Sequence, residues 1–303
     1  MEVLNDSFKI KFNYKTYITI GSFDGIHMGH LSLINKTIAL SKSRGSKSML
    51  STFKEHPLNV INKAAAPKIL MDNETKIDIL KSCGLDIVNF FDFNEKIMQM
   101  MPEDFVLNML QHYNMKGIIT GFNHRFGYKN LGDVNLLKTL SKKYNFELYI
   151  LPPVTFKNEI VSSTRIRNCI IDGNIEDANN MLLRPFSIKG SIVHGREIGR
   201  KIGFPTANLK YNSKFILPKN GVYYTKVYYN SAEYKGITNI GTNPTVNGAK
   251  LTIETHMLDF NENIYGKEIK LSFIKKIRDD IVFKNINELK AQLEKDKNFA
   301  YKQ

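Results

Sequence analysis

The hydrophobic pattern of this chain changes its period once, near residue 186. Before that point, short apolar runs alternate with segments of helical spacing. Beyond it, apolar and polar residues alternate with a period of two between Gly and Asn turns. The first pattern is typical of a parallel sheet built from β–α units, and the second of an antiparallel barrel or sandwich. Because 303 residues also exceed a typical single core, we predict two domains, residues 1–185 and 186–303.

The first domain is predicted to be a doubly wound α/β sheet. Its expected strands are residues 16–21, 48–53, 86–93, 117–122 and 146–153, and its expected helices are 31–43, 73–83, 102–113 and 133–144. Two short helices, broken at Gly173, should follow over residues 163–185. The second domain has predicted strands at residues 186–195, 221–229, 234–241, 251–258 and 267–277, and a closing helix over 285–297.

Several classes of protein are disfavoured by the composition. No apolar run approaches the roughly 18 residues that span a bilayer, and the N-terminus lacks the apolar region of a secretion signal. Cys83 and Cys169 are too few for a disulfide framework, so we expect a cytoplasmic protein with reduced thiols and no membrane partner. The net charge of +14 attracts phosphates, but the basic residues form no tract, so nucleic acid is not the expected partner.

A first candidate site is the segment GSFDGIHMGH, residues 21–30, which follows the first predicted strand. Ligands of open parallel sheets bind beyond the carboxyl ends of the strands. Gly21 and Gly25 allow a tight turn, and a helix starting near His30 would offer N–H groups to an anion. His27 and His30 would share a helix face and suit phosphoanhydride oxygens. A zinc site or a structural histidine pair is the alternative.

Two later segments could reach the same sheet edge. Residues 120–127, TGFNHRFG, follow a predicted strand, and SSTRIR opens a helix at residues 162–167. Ser163 and Thr164 offer capping hydroxyls, and Arg167 supplies a fixed positive charge near that helix N-terminus. Together these groups fit a triphosphate, although the same letters are also a common capping sequence.

A second candidate site lies in the period-two half. Gly195 and Gly203 would keep a loop close to a phosphate, and the nearby Thr206 and Asn208 offer oxygens of the kind that Mg²⁺ binds together with a nucleotide. A surface loop punctuated by Gly and Pro is the alternative. Glu254 lies in a predicted strand and could take a proton from an attacking hydroxyl, or could simply face solvent.

The motifs GSFDGIHMGH, TGFNHRFG and VSSTRIR, in this order and spacing, resemble the FMN adenylyltransferase module of the bacterial bifunctional riboflavin kinase/FAD synthetase family. That module is a Rossmann-like HxGH nucleotidyltransferase, and the resemblance implies transfer of AMP from ATP to FMN, giving FAD and pyrophosphate. It implies that His27 and His30 act on the phosphates as catalytic residues. The ATP contacts that it implies are Gly21, Phe23, His27, His30, Asn123, Ser163, Thr164 and Arg167. FKEHP at residues 53–57 and His124 depart from the family's usual F-E-P-H-P and aromatic residue.

The motifs GRKIGFPTANL, GVYYTKV, NIGTNPT, IETHMLDF and IRDDIVF resemble the riboflavin kinase domain of the same family. The resemblance implies phosphorylation of riboflavin by ATP, with Glu254 as the catalytic base. It also implies Mg²⁺ ligands at Thr206 and Asn208, and ATP contacts at Gly195, Gly203, Thr206 and Asn208. Asp280 stands where the family more often has Glu.

The two resemblances together imply a small-molecule enzyme that uses ATP, riboflavin and FMN. One alternative is a chain in which only the kinase site is fully active. The other is a flavin-sensing regulator that binds nucleic acid. The sequence sets no oligomeric state and leaves the role of Asp24 open.

Overall fold

The computed structural model describes residues 1–62, 66–195, 199, 202–245 and 248–303. It divides into two compact units. The first contains Met1–Pro67 and Asp72–Ser162, and the second contains Lys68–Met71 and Ser163–Gln303. In the described ranges, no helix is both long enough and apolar enough to cross a membrane.

The first unit is built on a six-stranded parallel sheet. Its strands are β1 (Glu2–Leu4), β2 (Thr16–Ile20), β3 (Lys47–Phe53), β4 (Ile87–Phe91), β5 (Met115–Gly121) and β6 (Glu147–Leu151). They lie in the order β1-β4-β3-β2-β5-β6, and every pairing is parallel. The predicted doubly wound sheet is therefore confirmed. Strand β1 was not predicted, because three residues are too few to show a period.

The helices predicted at residues 31–43, 73–83, 102–113 and 133–144 are present in the first unit, whereas the short helices Leu58–Ile61 and Glu95–Met98 were not predicted. In chain order, the helices are α1 (Met28–Ser43), α2 (Leu58–Ile61), α3 (Asn73–Ser82), α4 (Glu95–Met98), α5 (Pro102–His112) and α6 (Val134–Tyr144). The predicted helix starts are confirmed at Pro102, which is at the first position of α5, and at Asp133, whose side chain caps α6. A short hairpin of β7 (Thr155–Phe156) and β8 (Glu159–Ile160) completes the unit.

The core of this unit contains a cluster of aromatic side chains. The ring of Phe8 lies 5.2 Å from that of Phe91 and 5.6 Å from that of Phe105. The fully buried Tyr113 donates from its hydroxyl to the Asp6 carboxylate at 2.7 Å, so the one polar group of that ring is satisfied inside the core. Apolar burial thus stabilises the sheet whose strand ends form the first site.

The second unit is a closed antiparallel barrel with three helices in the part that is described. The helices are α7 (Ser163–Asp172), α8 (Ile175–Leu182) and α9 (Ile286–Tyr301). The strands are β9 (Phe186–Val193), β10 (Ala207–Tyr211), β11 (Gly221–Tyr229), β12 (Ala232–Thr245), β13 (Gly248–Met257) and β14 (Glu268–Arg278). The barrel order is β10-β13-β12-β11-β14-β9. The predicted choice between barrel and sandwich is therefore resolved in favour of a barrel.

Two sets of contacts attach helices to the barrel. In α8, the Asn179 amide donates to the Phe273 carbonyl at 2.8 Å and accepts from the Phe186 N–H at 2.7 Å. In α9, the buried Asp296 receives the guanidinium of Arg278 at 2.9 Å. Helices α7 and α8 thus belong to the barrel unit by their contacts, although they precede residue 185. The division into domains at residue 185 stays a prediction.

Candidate active sites

The first site lies where the direction of winding of the parallel sheet reverses. From β2 the chain runs outward through β3 to β4, and then returns to place β5 on the other side of β2. Crevices of open sheets form at such a switch point, beyond the carboxyl ends of the strands. The loops after β2 and β5 therefore flank this crevice. They carry the GSFDGIHMGH and TGFNHRFG motifs.

The loop after β2 has an unusual backbone that is held by buried side chains. Phe23, Gly25 and Ile26 have φ values of 47°, 84° and 33°. For a residue other than glycine, this left-handed region costs about 1–3 kcal/mol. Phe23 is 1% exposed and Ile26 is 0% exposed, so burial of two apolar side chains offsets that cost. Such strain is typical of functional loops, and here it delivers the chain to the start of α1.

The two histidines of the motif are in direct contact. Helix α1 begins at Met28, slightly before the predicted start, so His27 is the N-cap and His30 lies in the first turn. The Nδ1 atom of His27 accepts the His30 N–H at 3.3 Å, and the rings stack with centroids 3.7 Å apart and an interplanar angle of 19°. Because Nδ1 accepts, a neutral His27 carries its proton on Nε2 and can donate there.

This stacking disfavours the zinc alternative. Zinc binds imidazole nitrogens in the plane of the ring, at about 2.0–2.1 Å. Two stacked rings whose centroids lie 3.7 Å apart and whose planes differ by 19° cannot both direct an in-plane nitrogen at one ion. Gly29 lies close to the stack, because a Cβ there would lie 3.2 Å from the His27 ring and would crowd it. The pair is thus arranged as hydrogen-bonding groups at a positive helix end.

A lysine that the sequence analysis did not select holds the other end of the loop. The Lys76 ammonium donates to the Ser22 carbonyl at 3.0 Å, and Thr52 Oγ1 donates to the same oxygen at 2.9 Å. Burial lowers the pKa of Lys76 to about 8, and the Asp24 carboxylate opposes that shift. The sequence carries one signal that Lys76 is buried: it lies one helical turn before Leu80 and therefore on the same buried face of the helix.

The loop after β5 places Asn123 at the surface and His124 inward. The His124 ring stacks on Phe126 at 5.6 Å, with an interplanar angle of 13°. Burial lowers the pKa of His124 to about 4, so this imidazole stays neutral at physiological pH. Gly127 has a φ of 73°, and a Cβ there would lie 2.9 Å from the Pro102 nitrogen. The turn therefore requires glycine.

The third segment opens helix α7. Ser163 and Thr164 are the first two residues of this helix, and Arg167 lies in its second turn. The Arg167 Nε donates to the Lys68 carbonyl at 2.7 Å. Helix α7 belongs to the second compact unit, so convergence of these residues with His27 and His30 stays a prediction.

The second site is a row of polar residues across three barrel strands. Glu254 of β13 lies opposite Asn208 of β10 on one side and opposite Asn239 of β12 on the other. Directly opposed residues of antiparallel strands share a face, so a carboxylate stands between two amides. Asn239 was not predicted as a site residue, because its position opposite Glu254 depends on the register of the two strands.

Two cavities lie beside this row. Glu254 and Asn239 line a cavity of about 270 Å³ together with apolar residues of the barrel and α9, among them Val222, Ile237 and Leu293. A second cavity, of about 400 Å³, is more polar and includes Asn261, Glu262, Asn263 and Tyr265. Thr206 lines both cavities.

The loop before β10 is shaped to fit closely around Asn208. A Cβ on Gly195 would lie 2.1 Å from the Asn208 Nδ2, so only glycine leaves room for that amide. Gly203 has a φ of 86°, which also favours glycine. Residues 196–198, 200 and 201 of the same motif lie outside the described residues. Across the part that is described, no three His, Cys, Asp or Glu side chains are grouped to bind a metal ion.

His256 fixes the segment that carries Thr206. Its Nδ1 lies 2.8 Å from the Pro205 carbonyl, and because a carbonyl can only accept, the imidazole donates there. Burial lowers the pKa of His256, the Pro205 bond opposes this shift, and the nearby Lys297 adds to it. The role of His256 was not predicted from the sequence, although this residue lies two positions after Glu254 in the same strand and so shares its face.

A histidine pair stands at a helix N-terminus beside a parallel sheet, and a barrel in the same chain carries a carboxylate that lines a cavity. Together these features indicate an enzyme of phosphate and nucleotide transfer. Comparison with known proteins agrees with this class. The FAD synthetase family matches residues 9–165, and the riboflavin kinase family matches residues 182–303.

Curated relatives extend the match to nearly the whole chain. A bifunctional riboflavin kinase/FMN adenylyltransferase of Buchnera aphidicola subsp. Schizaphis graminum is 38% identical over 292 residues, which is 94% of this chain and 93% of the relative. The protein of the same description from Bacillus subtilis is 33% identical and covers 94% and 92% of the two chains. This chain belongs to the bifunctional riboflavin kinase/FMN adenylyltransferase family. The resemblance that the motifs indicated is confirmed.

A solved structure covers the same length. The crystal structure described as a macrolide-efflux protein from Streptococcus pneumoniae matches with a TM-score of 0.90 at 28% identity. The match covers 99% of this chain and 98% of the other. The α/β unit and the barrel unit are therefore found together in a related solved protein.

Proposed function

We propose that this chain makes FAD in two consecutive steps. The barrel unit phosphorylates riboflavin with ATP to give FMN and ADP, and the parallel-sheet unit transfers AMP from a second ATP to FMN, giving FAD and pyrophosphate. The observation that carries the proposal is the coincidence of each family match with its own site, the histidine pair in residues 9–165 and the Glu254 row in residues 182–303.

In the adenylyltransferase site, an oxygen of the FMN phosphate attacks the α-phosphorus of ATP. The new O–P bond forms as the bond between the α-phosphorus and the bridging oxygen to the β-phosphorus breaks, and pyrophosphate leaves. The attacking group is already an anion, so the protein aligns the reactants and stabilises charge. His27, His30 and the N-terminus of α1 supply that stabilisation. We assign the remaining ATP contacts to Gly21, Phe23, Asn123, Ser163, Thr164 and Arg167.

In the kinase site, a ribityl hydroxyl of riboflavin attacks the γ-phosphorus of ATP. The hydroxyl proton passes to the Glu254 carboxylate, and the bond from the γ-phosphorus to the bridging oxygen of ADP breaks. We assign the flavin to the cavity of about 270 Å³, whose apolar lining suits a flat aromatic ring. The more polar cavity then takes ATP. Thr206, which lines both, lies at the point of transfer, and Gly195 and Gly203 flank the phosphates.

The residues present fit a magnesium ion that is held partly by the substrate. Thr206 and Asn208 offer hard oxygen atoms, and Gly195 leaves the Asn208 amide uncovered by a side chain. We propose that these two residues hold Mg²⁺ together with phosphate oxygens of ATP. When bound, the ion would neutralise charge that develops on the transferred phosphoryl group.

The test is a chromatographic time course with purified chain, ATP and Mg²⁺, started from riboflavin and separately from FMN. We expect FMN to appear before FAD in the first reaction, and FAD to form directly in the second. Formation of FMN but no FAD would mean that the chain carries out only the kinase step. A monodisperse preparation that forms neither product would refute the proposal. We also propose that these reactions take place in the cytoplasm, where cell fractionation should recover the chain.

A further inference from the structure

Lys76 is a cation held inside the first unit, next to the loop that carries the histidines. The residue is 5% exposed, and its ammonium donates to the Ser22 carbonyl at 3.0 Å. Thr52 of β3 donates to the same oxygen at 2.9 Å, so both lone pairs of that carbonyl are engaged. The Asp24 carboxylate, 8% exposed, interacts electrostatically with Lys76. The segment 22–24 is therefore tied to both β3 and α3.

The stability of the fold does not by itself explain a charge in this place. Taking an ammonium out of water is costly, and apolar residues of similar volume often replace a buried ion pair with no loss of stability. The depressed pKa of Lys76, about 8, reflects that cost. Buried charges of this kind cluster at functional sites, where they fix geometry. The nearest functional groups of this chain are the residues of the loop that Lys76 contacts.

The contacts connect Lys76 to the histidine pair through Ser22 and Phe23. Ser22 is followed directly by Phe23, whose ring centroid lies 5.0 Å from that of His30. His30 in turn stacks on His27 at 3.7 Å. A shift of the Ser22 carbonyl would move the Phe23 backbone, and because Phe23 is fully enclosed, its ring would press on or withdraw from His30.

We propose that Lys76 is a positioning residue for adenylyl transfer, which holds Ser22 and Asp24 so that His27 and His30 stand correctly against the phosphates of ATP. The inference rests on the proposed adenylyltransferase function. A misplacement of about 1 Å in an aligned site can cost about 100-fold in rate. Loss of the ammonium should therefore lower the turnover of FAD formation strongly, without any change at the barrel.

The experiment uses the full chain with Lys76→Met, which keeps most of the side-chain volume and removes the charge. Lys81→Met, on the exposed face of the same helix, is the matched control. Each preparation is assayed for FAD formation from FMN, for FMN formation from riboflavin, and for thermal unfolding. We expect Lys76→Met to lower kcat for FAD formation about 10- to 100-fold. The kinase rate of that variant, and both rates of Lys81→Met, should stay at the wild-type level.

The double variant Lys76→Met/Asp24→Asn separates positioning from simple charge compensation. Removing both charges should restore the unfolding temperature, because the buried Asp24 position then carries no charge that Lys76 would have balanced, while kcat for FAD formation should stay low. This variant also replaces Lys76→Met if the single variant does not fold. Wild-type kcat for FAD formation in either variant would overturn the inference. A wild-type chain that forms no FAD would instead refute the proposed function.

Discussion

Replacing Glu254 with glutamine should separate the two activities of the chain. The side chain stands between Asn208 and Asn239 on neighbouring strands and lines the cavity assigned to the flavin. Glutamine keeps the shape and polarity of the side chain, but it cannot act as a base. A positioned general base contributes about 10²- to 10⁴-fold, which corresponds to about 3–5 kcal/mol of activation free energy. We therefore expect kcat for FMN formation to fall by that factor.

The assay follows FMN formation from riboflavin and FAD formation from supplied FMN in the same preparation. FAD formation should stay at the wild-type rate, because Glu254 belongs to the barrel unit. Glu268→Gln, at the exposed start of β14, is the control for loss of a carboxylate from the same barrel. Riboflavin phosphorylation within about threefold of wild type would remove Glu254 from the role of base. Equal loss of both activities would contradict two separate sites.

Three further predictions test the remaining groups. His30→Ala should lower FAD formation about 100-fold, a typical effect of removing one charge-stabilising donor, and should spare FMN formation in the same tube. Gly195→Ala should abolish riboflavin phosphorylation, because its Cβ would lie 2.1 Å from the Asn208 amide, and FAD formation from FMN should be retained. His124→Phe should change the response of stability to acid. The pKa of His124 is about 4 in the folded chain against an ordinary 6.5, so the unfolded chain binds its proton first. The free energy of unfolding should then fall as the pH drops from about 6.5 to about 4, by up to ~3 kcal/mol from this residue. In His124→Phe, denaturant unfolding across that range should show a correspondingly weaker pH dependence, and an unchanged dependence would contradict the buried neutral imidazole.

The parts of the fold that were predictable are those in which local pattern and tertiary structure agree. Helices α5 and α6 begin where Pro102 and Asp133 signal a start, and the buried strands β2 and β4 are rich in β-branched and aromatic residues. Strand β10 was not predicted. Its five residues are extended because they pair with β9 and β13, which are distant in the sequence.

The candidate sites were predictable only as separate motifs. The spacing of His27 and His30 indicated a shared face, and the structure brings the rings into contact. The row through Glu254 depends on the register of three strands, which no local pattern encodes. The role of Lys76 is still harder to predict. A lysine in an amphipathic helix is expected at the surface, and only the packing of α3 buries this one. The geometry that joins motifs into a site therefore comes from long-range packing.

The difference between the two sites follows from the difference between their nucleophiles. The FMN phosphate is an anion at neutral pH, so adenylyl transfer needs donors and positive charge but no base. A helix N-terminus with two imidazoles supplies those donors, and no carboxylate is needed to activate FMN. A ribityl hydroxyl must lose a proton as it attacks, so the barrel site needs a proton acceptor. Glu254 is a carboxylate that lines the cavity assigned to the flavin and can accept that proton. Replacing Glu254 with its amide should therefore damage only the kinase, and replacing His30 with alanine should damage only adenylyl transfer.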